Sequence, residues 1–145
     1  MNDTKKVINE LLVEVFHHIL SIEGQKLRER GVNLSMSEVH VLEAIQKTEE
    51  PTMSHIAKRL RVTVGTLTTA INRLVEKGFV ERKREKEDKR KVIVSITTKA
   101  YRVLATHDQF HDEMIEAVIQ DLKLDENEVL INALQNISTY FTKKY

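Results

Sequence analysis

The sequence contains no cysteine, no tryptophan, one proline and four glycines among 145 residues. Without cysteine the protein cannot form disulfides, use a thiolate nucleophile or sense redox state through a thiol, and zinc could bind only through histidines and carboxylates. So few glycines and prolines favour long elements joined by short loops. No stretch approaches the roughly 18 uninterrupted apolar residues of a membrane span, and the first residues do not resemble a signal peptide. We therefore expect a cytoplasmic protein with no membrane partner.

The composition is typical of one soluble, mainly helical domain over residues 1–145. Hydrophobic residues make up 41% and charged residues 31% of the chain, and the aromatic share of 5% predicts a core of Ile, Leu and Val. The net charge is only +1. Any affinity for nucleic acid must therefore come from local clusters of basic residues.

The first and last helical segments carry apolar residues over an unusually wide helical face. Two adjacent apolar rows run through residues 7–22, and a second double row runs through residues 129–141. A chain of this length has little interior to cover both rows, so we expect one row to face a partner subunit; a thick monomeric core is the alternative. The rows are Val7, Leu11, Val15, Ile19 and Ile22 with Ile8, Leu12, Phe16 and Leu20, and then Val129, Leu130, Ala133, Leu134, Ile137, Tyr140 and Phe141.

The middle of the chain carries start signals for three successive helices. The apolar residues of the second and third are spaced so that their inner faces can close on each other, which predicts a helix-turn-helix. The predicted helices cover residues 36–47, 53–60 and 64–77; Ser35 and Glu38 offer a capping box for the first, Pro51 and Thr52 open the second, and Thr63 caps the third.

The outward side of the helix over residues 64–77 carries short hydroxyls near its N-terminus, with an amide and a guanidinium further along. Such groups contact base edges and phosphates in DNA. Threonine is a poor helix former, so helix propensity does not explain three threonines on a solvent face. We interpret this side as a DNA-reading face; a helical hairpin with a polar surface is the alternative. Its residues are Gly65, Thr66, Thr68, Thr69, Asn72 and Arg73.

A run of eleven consecutive charged residues, Glu81 to Lys91, precedes the β-branched segment Val92–Ile96. Seven of the eleven are basic and four are acidic, so the run is locally basic. Phe79-Val80 and Val92–Ile96 are predicted strands, with the charged run as the tip of their hairpin. Beside a helix-turn-helix, such a hairpin is a predicted wing: its arginine can enter a minor groove while the lysines neutralise phosphates.

In these residues the sequence resembles the multiple-antibiotic-resistance regulator (MarR) family of winged helix-turn-helix repressors, over essentially the whole chain. The segment IAKRLRVTVGTLTTAINRLVEKGFVER matches the family's helix-turn-helix. The wing signature, Asp-x-Arg before a strand ending in Leu-Thr, is matched by Asp88, Lys89 and Arg90 and then KVIVSIT, with Ile96 for the usual Leu; Ala100 replaces a usual Gly. The resemblance implies that Arg90 enters the minor groove and that Asp88 holds the hairpin or the arginine. The predicted DNA-binding residues are Gly65, Thr66, Thr68, Thr69, Asn72, Arg73, Arg82, Asp88, Lys89, Arg90 and Lys91.

The resemblance also implies a fold and an assembly. The fold class is mainly α, a winged helix-turn-helix in the order α-α-α-α-β-β-α-α, whose lobe covers residues 36–97. Residues 1–34 and 98–145 form dimerisation helices, since the first and last helices of two subunits interlock in this family. A symmetric homodimer would place two recognition helices about one DNA turn apart on a palindromic operator. The implied function is sequence-specific transcriptional repression on double-stranded DNA.

Within the family, the chain most resembles the fatty-acid-synthesis repressors of the FabT type. The similarity lies in the segment VTVGTLTTAINRLVEKGFVER, in the helix-two histidine His40, and in a pair like His107 and His111 around Phe110. It implies control of fatty-acid biosynthesis genes, with a long acyl chain on acyl carrier protein as co-repressor. An acyl chain needs a dry tunnel between helices; ordinary core is the alternative role for the same residues. The predicted effector residues are Phe16, Leu20, Met36, His107, Phe110, His111 and Met114.

Zinc is the alternative effector. His107 and His111 share a helical face, and with Glu23 and His40 they would suit a tetrahedral site. Zinc-uptake repressors of the family place histidines at similar points, so the alternative function is a zinc-responsive repressor of metal uptake. An enzyme finds little support, because the sequence has no Gly-rich phosphate loop and no catalytic triad pattern. A helical protein-interaction module is a further alternative, but it would not explain the basic hairpin.

Overall fold

The computed structural model of the chain describes residues 2–145, and the predicted fold class is confirmed: helices surround one two-stranded antiparallel hairpin in a winged helix-turn-helix arrangement. Met1, the first residue of the predicted segment 1–34, lies outside the described residues. The elements are α1 (Asp3–Asn9), a π-helical segment (Glu10–Val15), α2 (Phe16–Glu29), α3 (Met36–Lys47), α4 (Met53–Leu60), α5 (Val64–Glu76), β1 (Val80–Arg84), β2 (Val92–Ile96), α6 (Thr98–Leu122), a 3₁₀ turn (Leu124–Glu126) and α7 (Glu128–Lys144).

Two compact units make up the chain, one ending at His107 and the other covering residues 108–145. The first unit contains the buried apolar core, to which α3, α4, α5 and the hairpin all contribute. No helix in the described residues 2–145 combines the length and the apolar character needed to cross a membrane. The largest of the fully buried side chains are Val39, Leu42, Ile56, Leu67, Ile71, Leu74, Val80, Val94 and Leu104.

The first helical stretch differs from its prediction. The apolar spacing of residues 7–22 predicted an α-helix there, but Glu10–Val15 is π-helical. A π-helical turn takes more residues than an α-helical turn, so it rotates the side chains beyond it around the helix axis. The apolar rows of residues 7–22 therefore do not continue as two straight stripes. Gly31, with φ of 73°, follows the end of α2 in the left-handed conformation that glycine adopts beyond a helix C-terminus.

Local capping explains why the three middle helices begin where they do. The Ser35 side chain accepts from the Glu38 amide at 3.2 Å, and the Glu38 carboxylate accepts from the Ser35 amide at 3.0 Å, as a capping box requires. Thr52 and Thr63 cap α4 and α5 through their hydroxyls. Lys77 then donates to the Glu38 carboxylate at 3.0 Å, so the end of α5 is held against the start of α3.

Two left-handed backbone positions shape the helix-turn-helix and the entry to the wing. Arg61 ends α4 with φ of 57°, and the next amide, that of Val62, donates to the Ala57 carbonyl at 3.0 Å. Gly78 has φ of 81° and follows α5. The chain can therefore turn from α5 directly into the hairpin.

The hairpin is longer than the sequence predicted. Phe79 lies before β1, and β1 continues through four charged residues to Arg84, which pairs with Val92. Strand propensity disfavours such residues, but ladder hydrogen bonds to β2 use only the backbone, and the charged side chains stay exposed. The tip is therefore residues 85–91, with four basic and three acidic side chains. The positive charge is distributed along the strand as well as at the tip.

Large apolar side chains remain exposed on both units. In the first unit most of them lie on α1, on the π-helical segment and at the start of α2; in the second unit they lie on α6, on α7 and at Tyr145. Both predicted double rows are thus only partly covered within a single chain. The most exposed are Val7 (62%) and Phe16 (55%) in the first unit, and Val129 (80%), Tyr145 (77%) and Leu122 (65%) in the second.

Candidate nucleic-acid interface

The recognition helix α5 has its predicted orientation. Leu67, Ile71 and Leu74 on its inner side are at most 1% exposed. The opposite side carries the residues predicted to read DNA: Gly65, Thr66, Thr69, Asn72 and Arg73 are exposed, and Thr68 is half-buried. The amphipathic spacing of the sequence is sufficient to set which side faces out, because the inner residues must reach the core.

The threonine hydroxyls of α5 already have hydrogen-bond partners. Thr68 donates to the Val64 carbonyl at 2.8 Å and Thr69 donates to the Gly65 carbonyl at 3.3 Å. The Thr63 hydroxyl donates to Thr66 at 2.9 Å. Because the protons of Thr68 and Thr69 point back to the helix, their oxygens remain available mainly as acceptors, which would suit an amino group on a base edge.

The wing tip is shaped by Asp88. Its carboxylate accepts from the backbone amide of Arg90 at 3.0 Å, and the Asp88 carbonyl accepts from the Lys91 amide at 3.0 Å. Of the two predicted roles for Asp88, these bonds match holding the hairpin. The side chains of Lys89 and Arg90 are exposed at the tip.

Lys91 differs from its neighbours at the tip. It was predicted to contact DNA, but its ammonium group forms an ion pair with Glu50 and lies 3.8 Å from the Glu85 carboxylate. Two acidic partners reduce its attraction for a phosphate. Its position joins the wing to the residues that precede α4.

The first wing strand also contacts the recognition helix through polar groups. Arg82 donates a hydrogen bond from Nη2 to the side-chain oxygen of Asn72. Both residues were predicted to bind DNA separately, and no local pattern of residues indicates that they touch each other.

A surface cleft of about 580 Å³ lies between the start of α4 and the wing. No residue pattern in the sequence predicts this grouping, although the N-cap Thr52 marks the helix start that helps to form it. A helix N-terminus and basic side chains suit an anion such as a DNA phosphate. The His55 ring nitrogen Nδ1 lies 2.8 Å from the Glu50 carbonyl. The lining residues are Glu50, Thr52, Met53, Ser54, His55, Arg90, Lys91 and Val92.

A buried polar cluster surrounds His107 in the first unit. His107 is 3% exposed, and its Nε2 lies 3.1 Å from the Glu43 carboxylate. The hydrogen bond from His107 holds the pKa of Glu43 below its usual value, although burial acts in the opposite direction. Glu23 is also 3% exposed, and one of its carboxylate oxygens lies within 4.8 Å of a ring nitrogen of His107. Glu43 was not predicted, because nothing in the sequence pairs α3 with α6.

The predicted zinc ligands are only partly brought together in the first unit. Glu23 and His107 are close, whereas His40 lines a different cleft, of about 360 Å³, with Leu60, Thr66 and Arg73. Among the described residues of the first unit, His40 is not grouped with Glu23 and His107 as a metal-ligand cluster.

The predicted effector residues are distributed over both units. In the first unit, Phe16 is exposed, Leu20 and Met36 are half-buried, and His107 is buried. In the second unit, residues 110, 111 and 114 are half-buried. The two clefts described above contain none of these residues.

Comparison with known proteins gives a consistent result. The MarR family matches residues 34–92 of the chain. The transcriptional regulator SarZ of Staphylococcus haemolyticus is 30% identical over 72% of this chain and 70% of its own length. The multiple antibiotic resistance protein MarR of Escherichia coli is 32% identical over 68% and 71%, respectively. The crystal structure of Streptococcus pneumoniae FabT in complex with DNA superposes with a TM-score of 0.89 at 34% identity, covering 97% of this chain and 99% of that one.

Proposed function

The chain belongs to the MarR family of DNA-binding transcriptional regulators, and from that premise we propose that it represses transcription as a homodimer on a palindromic operator. The observation that carries the proposal is the pairing of an exposed recognition helix with a basic wing in one lobe. The proteins to which it is similar are regulators rather than enzymes. We propose that it acts in the cytoplasm, as expected of a transcriptional regulator of this family.

The homodimer is supported by the apolar surface that each unit exposes. Val129 on α7 is 80% exposed and Val7 on α1 is 62% exposed, and exposed apolar patches of this kind mark protein contact surfaces. We propose that residues 36–97 form the DNA-binding lobe and that 1–34 and 98–145 supply the dimer contacts. A symmetric dimer would present two recognition helices to two half-sites.

For the effector, we propose a long acyl chain carried on acyl carrier protein, with fatty-acid biosynthesis genes as the target. The proposal is supported by the resemblance to FabT-type repressors and by the 34% identity to pneumococcal FabT over nearly the whole chain. The half-buried side chains of Leu20, Met36 and Met114 are flexible and apolar, which suits contact with an acyl chain.

Zinc-responsive repression is the second candidate. The observation that favours it is the close approach of Glu23 and His107, both buried, since a buried carboxylate and imidazole are good zinc ligands. His40 is not grouped with them. For this candidate the first unit would therefore supply Glu23 and His107 as zinc ligands, without the predicted third ligand His40.

One titration separates the candidates. Operator affinity is measured by fluorescence anisotropy with long-chain acyl carrier protein, with acyl carrier protein lacking the acyl chain, and with zinc or EDTA. We expect tighter binding only with the acylated carrier and no effect of EDTA. Met114→Trp should abolish the response and keep basal DNA binding, because a bulky ring would occupy space needed by the acyl chain. A stoichiometric zinc that survives dialysis, tightens binding and is lost in His107→Ala would support the second candidate instead.

A further inference from the structure

The side chain of Arg82 links the wing to the recognition helix. In the hairpin, Arg82 pairs with Val94 and Val80 pairs with Ile96. Cross-strand partners and alternate residues of a strand share one face of a hairpin, so Arg82 lies on the face of the buried Val80 and Val94. β1 contacts α5. The hairpin register thus places Arg82 on the same face as these buried residues, and its guanidinium donates a hydrogen bond to Asn72 on α5.

Asn72 is part of the DNA-facing row of α5. It follows Thr68 by four residues and Thr69 by three, and residues at these spacings are neighbours on a helix surface. The bond to Asn72 thus brings the guanidinium of Arg82 beside the threonines that face DNA. An arginine has five N–H donors, and this bond uses one of them. The others suit a phosphate, which arginine can bind through two parallel hydrogen bonds.

The same bond changes what Asn72 can do. To read an adenine, an asparagine must accept from the base amino group with its side-chain oxygen while its amide nitrogen donates to N7. In Asn72 that oxygen already accepts from Arg82. The oxygen keeps a second lone pair, so base reading is not blocked, but the charge-assisted bond to Arg82 holds the amide plane of Asn72 in one orientation and restricts base reading to that orientation.

We infer that Asn72 is a positioning residue and that Arg82 is the DNA-contacting group of the pair. Asn72 holds the guanidinium against a backbone phosphate between the major groove entered by α5 and the minor groove entered by the wing. The contact also ties the two reading elements together, so that the seating of one fixes the register of the other. The inference rests on DNA binding by the winged helix-turn-helix.

The test is a double-mutant cycle read as salt dependence. Operator and random-duplex affinities are measured from low to moderate salt for the full-length wild type, Asn72→Ala, Arg82→Ala and the double variant. Each single variant should lower the slope of log K against log salt by about 0.9, the value for one phosphate contact, and the double variant should lose no more than either one. The ratio of operator to random affinity should stay within about twofold of wild type.

Arg84 provides the matched control. It carries the same charge two residues further along β1, on the same face as Arg82, and pairs with Val92. Arg84→Ala combined with Asn72→Ala should give additive losses, because Asn72 bonds Arg82. Arg82→Lys retains the charge and should restore most of the slope, which a purely structural role for Arg82 would not do.

The outcomes that overturn the inference are distinct. If Asn72 reads a base, Asn72→Ala should lose about 5- to 150-fold on the operator alone and add to Arg82→Ala. If the bond only stabilises the fold, the coupling should occur in the melting temperature and leave the salt slope unchanged. If the wild type shows no salt-dependent binding to any duplex, the DNA-binding role fails as well, whereas normal wild-type binding with an unchanged slope in Asn72→Ala overturns this inference alone.

Discussion

At the scale of single residues, Asp88 and Arg90 have different tasks in the wing. Asp88 bonds the backbone amide of Arg90 and thereby holds the tip, while the side chain of Arg90 is exposed. A tip fixed in this way would lose less conformational freedom if its arginine entered a groove. We therefore propose that Asp88 sets the shape of the tip and that Arg90 makes the contact with DNA.

The role of Arg90 can be tested by removing its charge. Arg90→Ala should weaken binding to operator and random DNA alike, and should lower the salt slope by about 0.9 for one lost phosphate-equivalent contact. Lys86→Ala removes the same charge from the same tip and is the control. If Arg90 has no special position, the two variants will lose equal affinity in the same anisotropy titration.

The Glu43–His107 pair predicts a specific pH dependence. Because the pKa of Glu43 is lower in the folded protein than its ordinary value of 4.5, the ionised carboxylate stabilises the fold above that value. This stabilisation is lost as pH falls through the folded-state pKa. Glu43→Gln keeps an acceptor oxygen but cannot ionise, so it should cost about 1 kcal/mol near neutral pH and lose less than wild type on acidification.

Urea unfolding between about pH 7 and pH 3 measures this difference. Glu76→Gln removes a charge from an exposed position and serves as the control. If the free energy of unfolding falls equally in wild type and Glu43→Gln as the pH is lowered, the Glu43–His107 pair does not contribute to stability in this way.

At the scale of elements, the sequence predicts helix starts well because capping is local. Ser35, Thr52 and Thr63 each bond an amide three residues ahead, so a few adjacent letters contain the whole interaction. The strand β1 was predicted too short, because pairing with a distant strand overrides the low strand propensity of its charged residues. The π-helical segment has no such local signal.

The candidate site likewise has features set within one element, which the sequence predicts, and features set between elements, which it does not. The outward face of α5 could be predicted, because amphipathic spacing within one helix sets it. The bonds from Arg82 to Asn72 and from His107 to Glu43 could not, because each joins different elements and depends on tertiary packing. Asn72 and Arg82 were predicted from the sequence to contact DNA separately, and in the structure they contact each other.

Gly65 within α5 and Gly78 just after it give a matched test of how backbone conformation affects stability and DNA binding. Gly78 has φ of 81°, where a side chain is strained although the space around it is open, so Gly78→Ala should cost about 1–2 kcal/mol. Gly65 lies within α5, where alanine should stabilise the helix by about 0.5–1 kcal/mol. Its added methyl group would nevertheless project from the DNA-facing row, so Gly65→Ala should melt no lower than wild type and bind the operator more weakly. Thermal unfolding and anisotropy measure the two effects, and full operator affinity in Gly65→Ala would show that DNA does not approach the first turn of α5.

At the scale of the whole molecule, the exposed apolar residues of the two units demand an explanation that one chain does not provide. Leu11 in the first unit is 46% exposed and Val129 in the second is 80% exposed. A lone recognition helix with a wing contacts only a short stretch of DNA, and linking two such lobes raises affinity through effective concentration. Dimerisation would therefore cover the apolar surface and supply operator affinity together.

The dimer is tested by placing a charge in this surface. Val129→Asp and, separately, Leu11→Asp should give monomers in sedimentation equilibrium, because an unpaired carboxylate cannot be buried at an apolar contact without a large cost. Operator affinity should fall about 100-fold or more, whereas binding to random duplex at low salt should fall much less, since each lobe keeps its own phosphate contacts. Val75→Asp changes an exposed apolar residue of the DNA-binding lobe, outside the proposed dimer segments, and should remain dimeric. Circular dichroism establishes whether each variant is still helical. Because Leu11 lies in the first unit and Val129 in the second, one variant can still test the dimer if the other unfolds. A folded monomeric variant that binds the palindrome as tightly as wild type would contradict the dimer, because a single lobe would then account for the whole affinity.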